Sequence, residues 1–346
     1  MKKRKRICVP IIVALFCSSS ILGCSNNRGT ISTASETTEY DNVNLLLSCG
    51  GTEIANDTRT ARLFAQLIEQ KSNGRVTVTV FANDQLASGN MSKGIEMLCD
   101  GTVDIDCHST GVIANLDNRL MVSTLPWTFA DYQEAEDYFW GTGGEYIDNI
   151  MKDKGLVYLG AVHNGLKAMT CSKTLIKRPE DLKGLKMRIP GGDFYSAFYN
   201  AYGASPQAMS WSEVFTALQQ GTIDGHENSL ATINSNNVQE VQKYISISNH
   251  TYEAFTFTAN KSNFEKLNNK TQELVRDCIE EACKTINQEI VTGEAELKAK
   301  FVNENGCQIY EFNETDILAF KAVINDLVEE YKNYYGEDAC RAFGIE

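Results

Sequence analysis

The chain has 346 residues, 42% hydrophobic and 22% charged, which is long enough for two domains with real cores and too apolar for a disordered chain. Its 32 basic and 45 acidic side chains leave a net charge of -13, which speaks against a nucleic-acid partner, because phosphate contacts need clustered Lys and Arg. Small anionic ligands stay open, since one local Arg outweighs a diffuse acidic surface. With four histidines and no paired Cys/His spacing, a metal site is not expected.

The amino terminus reads as an export signal of the lipoprotein type. Five positive charges in residues 1–6 precede an apolar core from Ile7 to Phe16, then small residues, then Ile21-Leu22-Gly23-Cys24. The core is too short to span a bilayer, which takes about 20 apolar residues. The expectation is cleavage after residue 23 and lipid on the Cys24 thiol; a cleaved signal without lipid is the alternative. No later stretch is apolar enough to span. Residues 24–41 are rich in Ser, Thr, Asn and Glu and read as a flexible tether. Eight cysteines follow Cys24, an even count that permits disulfides in an exported chain. Their spacing is wide, and Cys49, Cys99 and Cys107 are expected as small buried residues.

Val43 to Cys49 is an apolar run, hence a strand. A helix follows from Asp57, with Leu63, Phe64, Leu67 and Ile68 at helical spacing and Gly74 as its stop. Val76, Val78 and Val80 alternate with threonines in a half-buried strand to Phe81. Helix 91–99 and strand 103–107 complete an α/β unit with a largely parallel sheet. The cluster Gly141-Thr142-Gly143-Gly144 reads as a turn. A second set starts after His163: strand 185–189, helix 193–202, helix 212–220, a brief strand 223–226, and strands at 244–248 and 255–259. From Ser262 the pattern is almost wholly helical, clearest over 315–335. Two such units joined by more than one crossing make a clamshell with a ligand crevice at the strand ends.

Three residues could hold a ligand there. Arg188 ends a strand just before Pro190-Gly191-Gly192. It either meets an anion at the crevice, where its planar fork fits a carboxylate, or forms a structural ion pair. Trp211, in the first turn of a helix capped by Ser210, is either a crevice wall or core. Asn228 either contacts a ligand or caps the next helix. An enzyme built on Glu213, His226 and Glu227 would lack a nucleophile, a metal set and a cofactor loop, so none is expected, and no cofactor.

Residues 179–244, from Pro179-Glu180-Asp181-Leu182 through Arg188, Trp211 and Asn228 to Tyr244, resemble the core motif of the solute-binding proteins of TRAP transporters. FANDQLASG at 81–89, GTVDI at 101–105 and LPWTFAD at 125–131 resemble further segments of that family, in the same order. The resemblance implies a two-domain periplasmic-binding-protein clamshell with long C-terminal helices crossing between domains: residues 42–165 with 254–293, and 166–253 with 294–346. It implies that Arg188 holds the ligand carboxylate, that Trp211 packs beside the ligand and that Asn228 contacts it. Lys167 stands where the family often has a second arginine, bringing charge without the bidentate fork. Asn90 stands where many members place an acidic residue. The implied function is capture of a small organic acid, a C4-dicarboxylate, a sugar acid or a related anion, for delivery to TRAP-type integral membrane subunits. The protein would touch the membrane through its lipid anchor only. A sensor of the same fold feeding a membrane signalling partner is the other reading.

Overall fold

The computed structural model describes residues 39–346. The export signal, Cys24 and the tether up to residue 38 lie outside the described residues. The end of the expected tether is tied down: the Asp41 amide donates to Thr271 Oγ1 at 2.9 Å, and Arg75 Nε donates to the Tyr40 carbonyl at 2.7 Å.

The strands are β1 (Val43–Cys49), β2 (Val76–Phe81), β3 (Ile105–Ser109), β4 (Leu156–Cys171), β5 (Lys186–Ile189), β6 (Ser205–Ala208), β7 (Gly225–Asn228), β8 (Tyr244–Asn260) and β9 (Gln308–Glu311). They form one sheet in the order β2-β1-β3-β8-β4-β7-β5-β6, with β9 on β8. Parallel pairs lie at its two wings: β2-β1-β3 on one side and β7-β5-β6 on the other. Between them β4 and β8 run antiparallel from Leu156↔Asn260 to Cys171↔Tyr244. Their register shifts three times, once between His163 and Gly165, so the long ribbon bends as it passes from one wing to the other.

The helices are α1 (Asn56–Lys71), α2 (Met91–Cys99), α3 (Thr110–Ile113), α4 (Tyr132–Trp140), α5 (Thr142–Asp153), α6 (Asp193–Ala201), α7 (Trp211–Gln219), α8 (Leu230–Ser235), α9 (Lys261–Phe264), α10 (Asn269–Asn303), α11 (Glu314–Tyr335) and α12 (Glu337–Ala342). Phe64 and Ile68 of α1 are fully buried against β1 and β2 beside Val275, Ile279 and Cys283 of α10. The far end of α10 buries Phe301 in a separate core with Ile233, Val238 and Ile245. One helix of 35 residues thus joins the cores under the two wings. Phe320 and Ile324 of α11 join a third core, with Phe194, Phe198 and Tyr202.

The α/β class and the long C-terminal helices are as the sequence indicates; some elements differ. The two strands expected at 244–248 and 255–259 are one strand of 17 residues, and β4 was not anticipated at all. The glycine cluster at 141–144 is a turn at Gly141 alone, which separates the two helices, while Gly143 and Gly144 lie inside α5. A Cβ at Gly143 would collide with the Phe343 ring, which is why this helix carries glycine there. Cys49 and Cys107 are buried as expected, but Cys99 is exposed at the end of α2, and all eight cysteines after Cys24 are free thiols.

Candidate functional site

The carboxyl ends of β1, β3, β5 and β7 converge on one cavity of about 50 Å³. β1 and the following loop bring Gly50 and Gly51, the start of α1 brings Asp57, and β3 brings His108. From the other wing come Arg188 of β5, Trp211 of α7, and Glu227 and Asn228 of β7; β4 and β8 contribute Lys167 and Glu253. This is where helix starts point and where parallel strands run out of partners, the usual place for a ligand in an α/β fold.

Arg188 is 4% exposed. Its Nε and one Nη2 hydrogen donate to the Met209 carbonyl at 3.1 and 2.9 Å, and the guanidinium lies 5.4 Å from the Trp211 ring centroid. Trp211 in turn stacks on His226 at 5.7 Å. One edge of the fork is therefore fixed, while Nη1 and the Nη1/Nη2 edge have no hydrogen-bond partner among the described residues. No carboxylate lies within 4.0 Å of it there either. Burial lowers its pKa to about 10 despite Glu253 and Glu227 nearby. Gly191 and Gly192 just beyond have φ of +135° and +84°, which lets the chain turn away from the strand end without a Cβ clash.

Lys167 is clamped rather than free. Its Nζ donates to Glu253 Oε2 at 2.6 Å and to Asn228 Oδ1 at 2.7 Å, with both ionic partners 3% exposed. Glu253 also receives the Gly111 amide at 3.0 Å and Asn164 Nδ2 at 3.2 Å. Because Asn228 Oδ1 accepts from an ammonium, its Nδ2 is the group left for the cavity. The cap of α8 is Ser229, which accepts from Thr232 N at 3.2 Å, so Asn228 is not the cap.

The remaining acids are deeply placed. Burial would raise the Glu227 pKa, but His250 at 2.7 Å and the Tyr199 hydroxyl at 2.6 Å bring it below its ordinary value. Burial works against a charge on His108, yet Asp106 and Asp84 on its two ring nitrogens hold its pKa well above the ordinary value. Asp57 is fully buried; its Oδ2 accepts from the Gly51 amide at 2.7 Å and its Oδ1 has no hydrogen-bond partner among the described residues. Burial raises its pKa to about 6, against the pull of the Gly51 and Thr58 amides.

A sequence profile of the bacterial extracellular solute-binding proteins of family 7 matches residues 52–334. The chain belongs to that family. A solute-binding protein of Verminephrobacter eiseniae is 34% identical over 241 residues, covering 68% of this chain and 71% of the other. The C4-dicarboxylate-binding protein DctB of Bacillus subtilis is 26% identical over 284 residues, covering 81% and 80%. A TRAP periplasmic solute-binding protein of Shewanella oneidensis, solved with bound succinate, superposes with TM-score 0.82 at 28% identity, covering 87% and 98%. The sugar acid binding protein DctPAm of Advenella mimigardefordensis, solved with galactonate, gives 0.83 at 26% identity, covering 88% and 97%. The fold is thus the two-domain α/β clamshell, and the family is one of extracytoplasmic transport binding proteins, not of enzymes. Among the described residues no helix is long and apolar enough to cross a membrane.

In this family-7 protein the structure brings Arg188, Trp211, Asn228 and Lys167 to one cavity. Asn90 is not among the residues lining it: it is exposed and caps α2, accepting from Lys93 N at 3.0 Å, while its neighbour Met91 reaches the cavity wall. Glu213 is also elsewhere, accepting from the Ser210 amide at the start of α7. Sequence reasoning missed Asp57, His108 and Glu253 as cavity residues. Asp57 carried a signal, an acid in the first turn of a helix that follows a strand and two glycines; Glu253 carried none.

Proposed function

We propose that this chain is a lipid-anchored extracytoplasmic solute-binding protein of a TRAP transporter, capturing a small organic acid in this cavity and delivering it to integral membrane subunits. The observation that carries the reading is Arg188: a buried guanidinium with one edge fixed by a carbonyl, the other edge turned to a cavity, and no carboxylate partner of its own. A desolvated cation in that state is completed by an anion from outside, and a carboxylate matches its free edge with two parallel hydrogen bonds. Asn228 Nδ2 would add a third donor and Trp211 an apolar wall. The relatives solved with succinate and galactonate, both carboxylates, support the same ligand class.

The two lobes are residues 42–165 with 254–293 and residues 166–253 with 294–346. The crossings are β4, β8 and α10, and the register shift at His163/Gly165 sits where the hinge would be. Closure of the lobes would bury the ligand and complete a docking surface for the membrane subunits. The test is a thermal-shift screen of organic acids on the ligand-free protein, since a ligand that binds only the folded state raises its apparent stability. At least one carboxylate raises the melting temperature of the wild type and fails to do so for Arg188→Ala. A screen in which only uncharged compounds stabilise the protein refutes the organic-acid reading.

A further inference from the structure

The loop 82–90, between β2 and α2, is held in an uncommon shape. Asn83, Asp84 and Ser88 each carry a Cβ and yet have φ of +56°, +49° and +56°, and Gly89 follows at +80°. Left-handed backbone is costly in such residues and persists only where the surroundings fix it. Here they do. The Asp84 carbonyl takes the amides of Ala87 and Gly89 at 2.9 and 3.0 Å, and the Asp84 carboxylate meets His108, a cavity residue, at 2.8 Å. The Gly89 carbonyl at the end of this winding accepts the Ser212 hydroxyl at 2.9 Å. A Cβ at Gly89 would crowd Ser212 Oγ at 3.1 Å, so glycine suits both the turn and the approach. Ser212 is itself well placed. It follows Trp211 in the first turn of α7, whose start is fixed by the reciprocal cap of Ser210 and Glu213.

The Ser212 bond passes from one lobe to the other. So does a second: Thr52 Oγ1 donates to the Ser235 carbonyl at 3.1 Å, one residue on from Gly51 of the cavity wall. Neither Ser212 nor Thr52 lines the cavity. Resting on the lobe division and the organic-acid reading above, we infer that Ser212 and Thr52 are latch residues: their hydroxyls hold the lobes together by bonding backbone carbonyls of the facing lobe, and so lengthen the stay of a bound acid that they never touch. Opening hands both partners of each bond to water, so each latch contributes the net worth of one neutral hydrogen bond to the closed form. A ligand enclosed between the lobes binds that form, and its apparent affinity follows the closed population. Ser212 lies beside Trp211, which stacks near the Arg188 guanidinium, so the turn that meets the ligand also carries the latch.

The experiment is calorimetric titration with succinate and with galactonate, paired with stopped-flow tryptophan fluorescence, on Ser212→Ala, Thr52→Val and the double variant. Each lost hydroxyl weakens binding about twofold to tenfold, almost wholly through faster dissociation, and the losses multiply in the double variant. Ser212→Thr and Thr52→Ser keep a hydroxyl and stay near wild type, which a role in packing alone would not give. A variant that dissociates at the wild-type rate removes its residue from the latch, and two such variants overturn the inference while binding itself leaves the organic-acid reading in place. If the wild type binds neither acid, small-angle X-ray scattering of the ligand-free forms decides the latch separately from that reading. A larger radius of gyration in the double variant than in the wild type supports the latch, and an equal one overturns it.

Discussion

Arg188→Ala and Lys167→Ala each remove one positive charge from the same cavity, and the structure gives them different outcomes. In the ligand-free protein, burial depresses the Arg188 pKa from 12.5 to about 10. At about 1.4 kcal/mol per unit, its charge stands at a disadvantage of up to about 3 kcal/mol in the fold. Against that are its bonds to the Met209 carbonyl, about 1.5–3 kcal/mol for a charged donor, and the Trp211 contact, about 0.5–2 kcal/mol. These terms nearly cancel, so Arg188→Ala leaves ligand-free stability close to wild type. Lys167→Ala strands Glu253, 3% exposed, with only neutral donors, and breaking such a buried pair costs about 3–5 kcal/mol. For binding the order reverses. Losing Arg188 leaves a buried ligand carboxylate unpaired, at about 2–5 kcal/mol, or roughly 30-fold to several-thousand-fold in affinity. Arg188→Lys keeps the charge but not the fork, and also binds substantially more weakly. Urea unfolding of the ligand-free variants, paired with calorimetric titration of the acid found by screening, measures both quantities. Near-wild-type affinity in Arg188→Ala together with a large loss of ligand-free stability would refute the assignment of Arg188 to the ligand.

Trp211→Phe keeps an aromatic wall, so affinity falls modestly while most of the ligand-induced change in tryptophan fluorescence disappears; a full wild-type response would place the signal in Trp127 or Trp140. The Asp57 carboxyl titrates near 6 in the fold against an ordinary 3.8, so the folded state holds the proton more tightly. The stability it contributes is present below pH 3.8 and is lost as pH rises through 6, by up to about 3 kcal/mol. Asp57→Asn removes that loss, so urea unfolding at pH 4.5 and 7.5 should find the variant gaining on wild type at the higher pH, and an equal difference at both would contradict the burial argument. Cys24→Ser should release or mislocalise the protein with ligand affinity intact, as fractionation and mass spectrometry report; mass and membrane association both unchanged in that variant rule out the lipid anchor.

Apart from the edge strand β6 (Ser205–Ala208), the wings of the sheet were legible because their signals are local. Val76, Val78 and Val80 alternate with threonines, and α1 shows its apolar stripe without help from the rest of the chain. The central ribbon was not legible. β4 carries Gly160, Asn164, Gly165 and Lys167, which break any alternation, and those polar groups are tolerable only because β8 and its neighbours supply partners. His163 Nδ1 meets the Tyr252 hydroxyl at 2.7 Å, and Asn164 and Lys167 both reach Glu253. The middle of β8, with Ser248, Asn249 and His250, reads as a break for the same reason: His250 is buried because Glu227 and Ser248 take its nitrogens.

The same non-local pairing decides how the cavity should be counted. Arg188, Trp211 and Asn228 stand out in the sequence, because a strand-end arginine, a first-turn tryptophan and an asparagine after a short strand each need a reason to be there. Lys167 in β4 and Glu253 in β8 carry no such mark, and whether they meet depends on a register that bends three times along the ribbon. Read from the sequence, the site has two cations, Arg188 and Lys167, and takes a C4-dicarboxylate, a sugar acid or a related anion alike. In the fold, one cation is neutralised at 2.6 Å before any ligand arrives, and the other, Arg188, has one edge fixed by the Met209 carbonyl. The charge a ligand must bring is set by the groups left without partners, not by the groups present, and of the two cations here only Arg188 is without a carboxylate among the described residues.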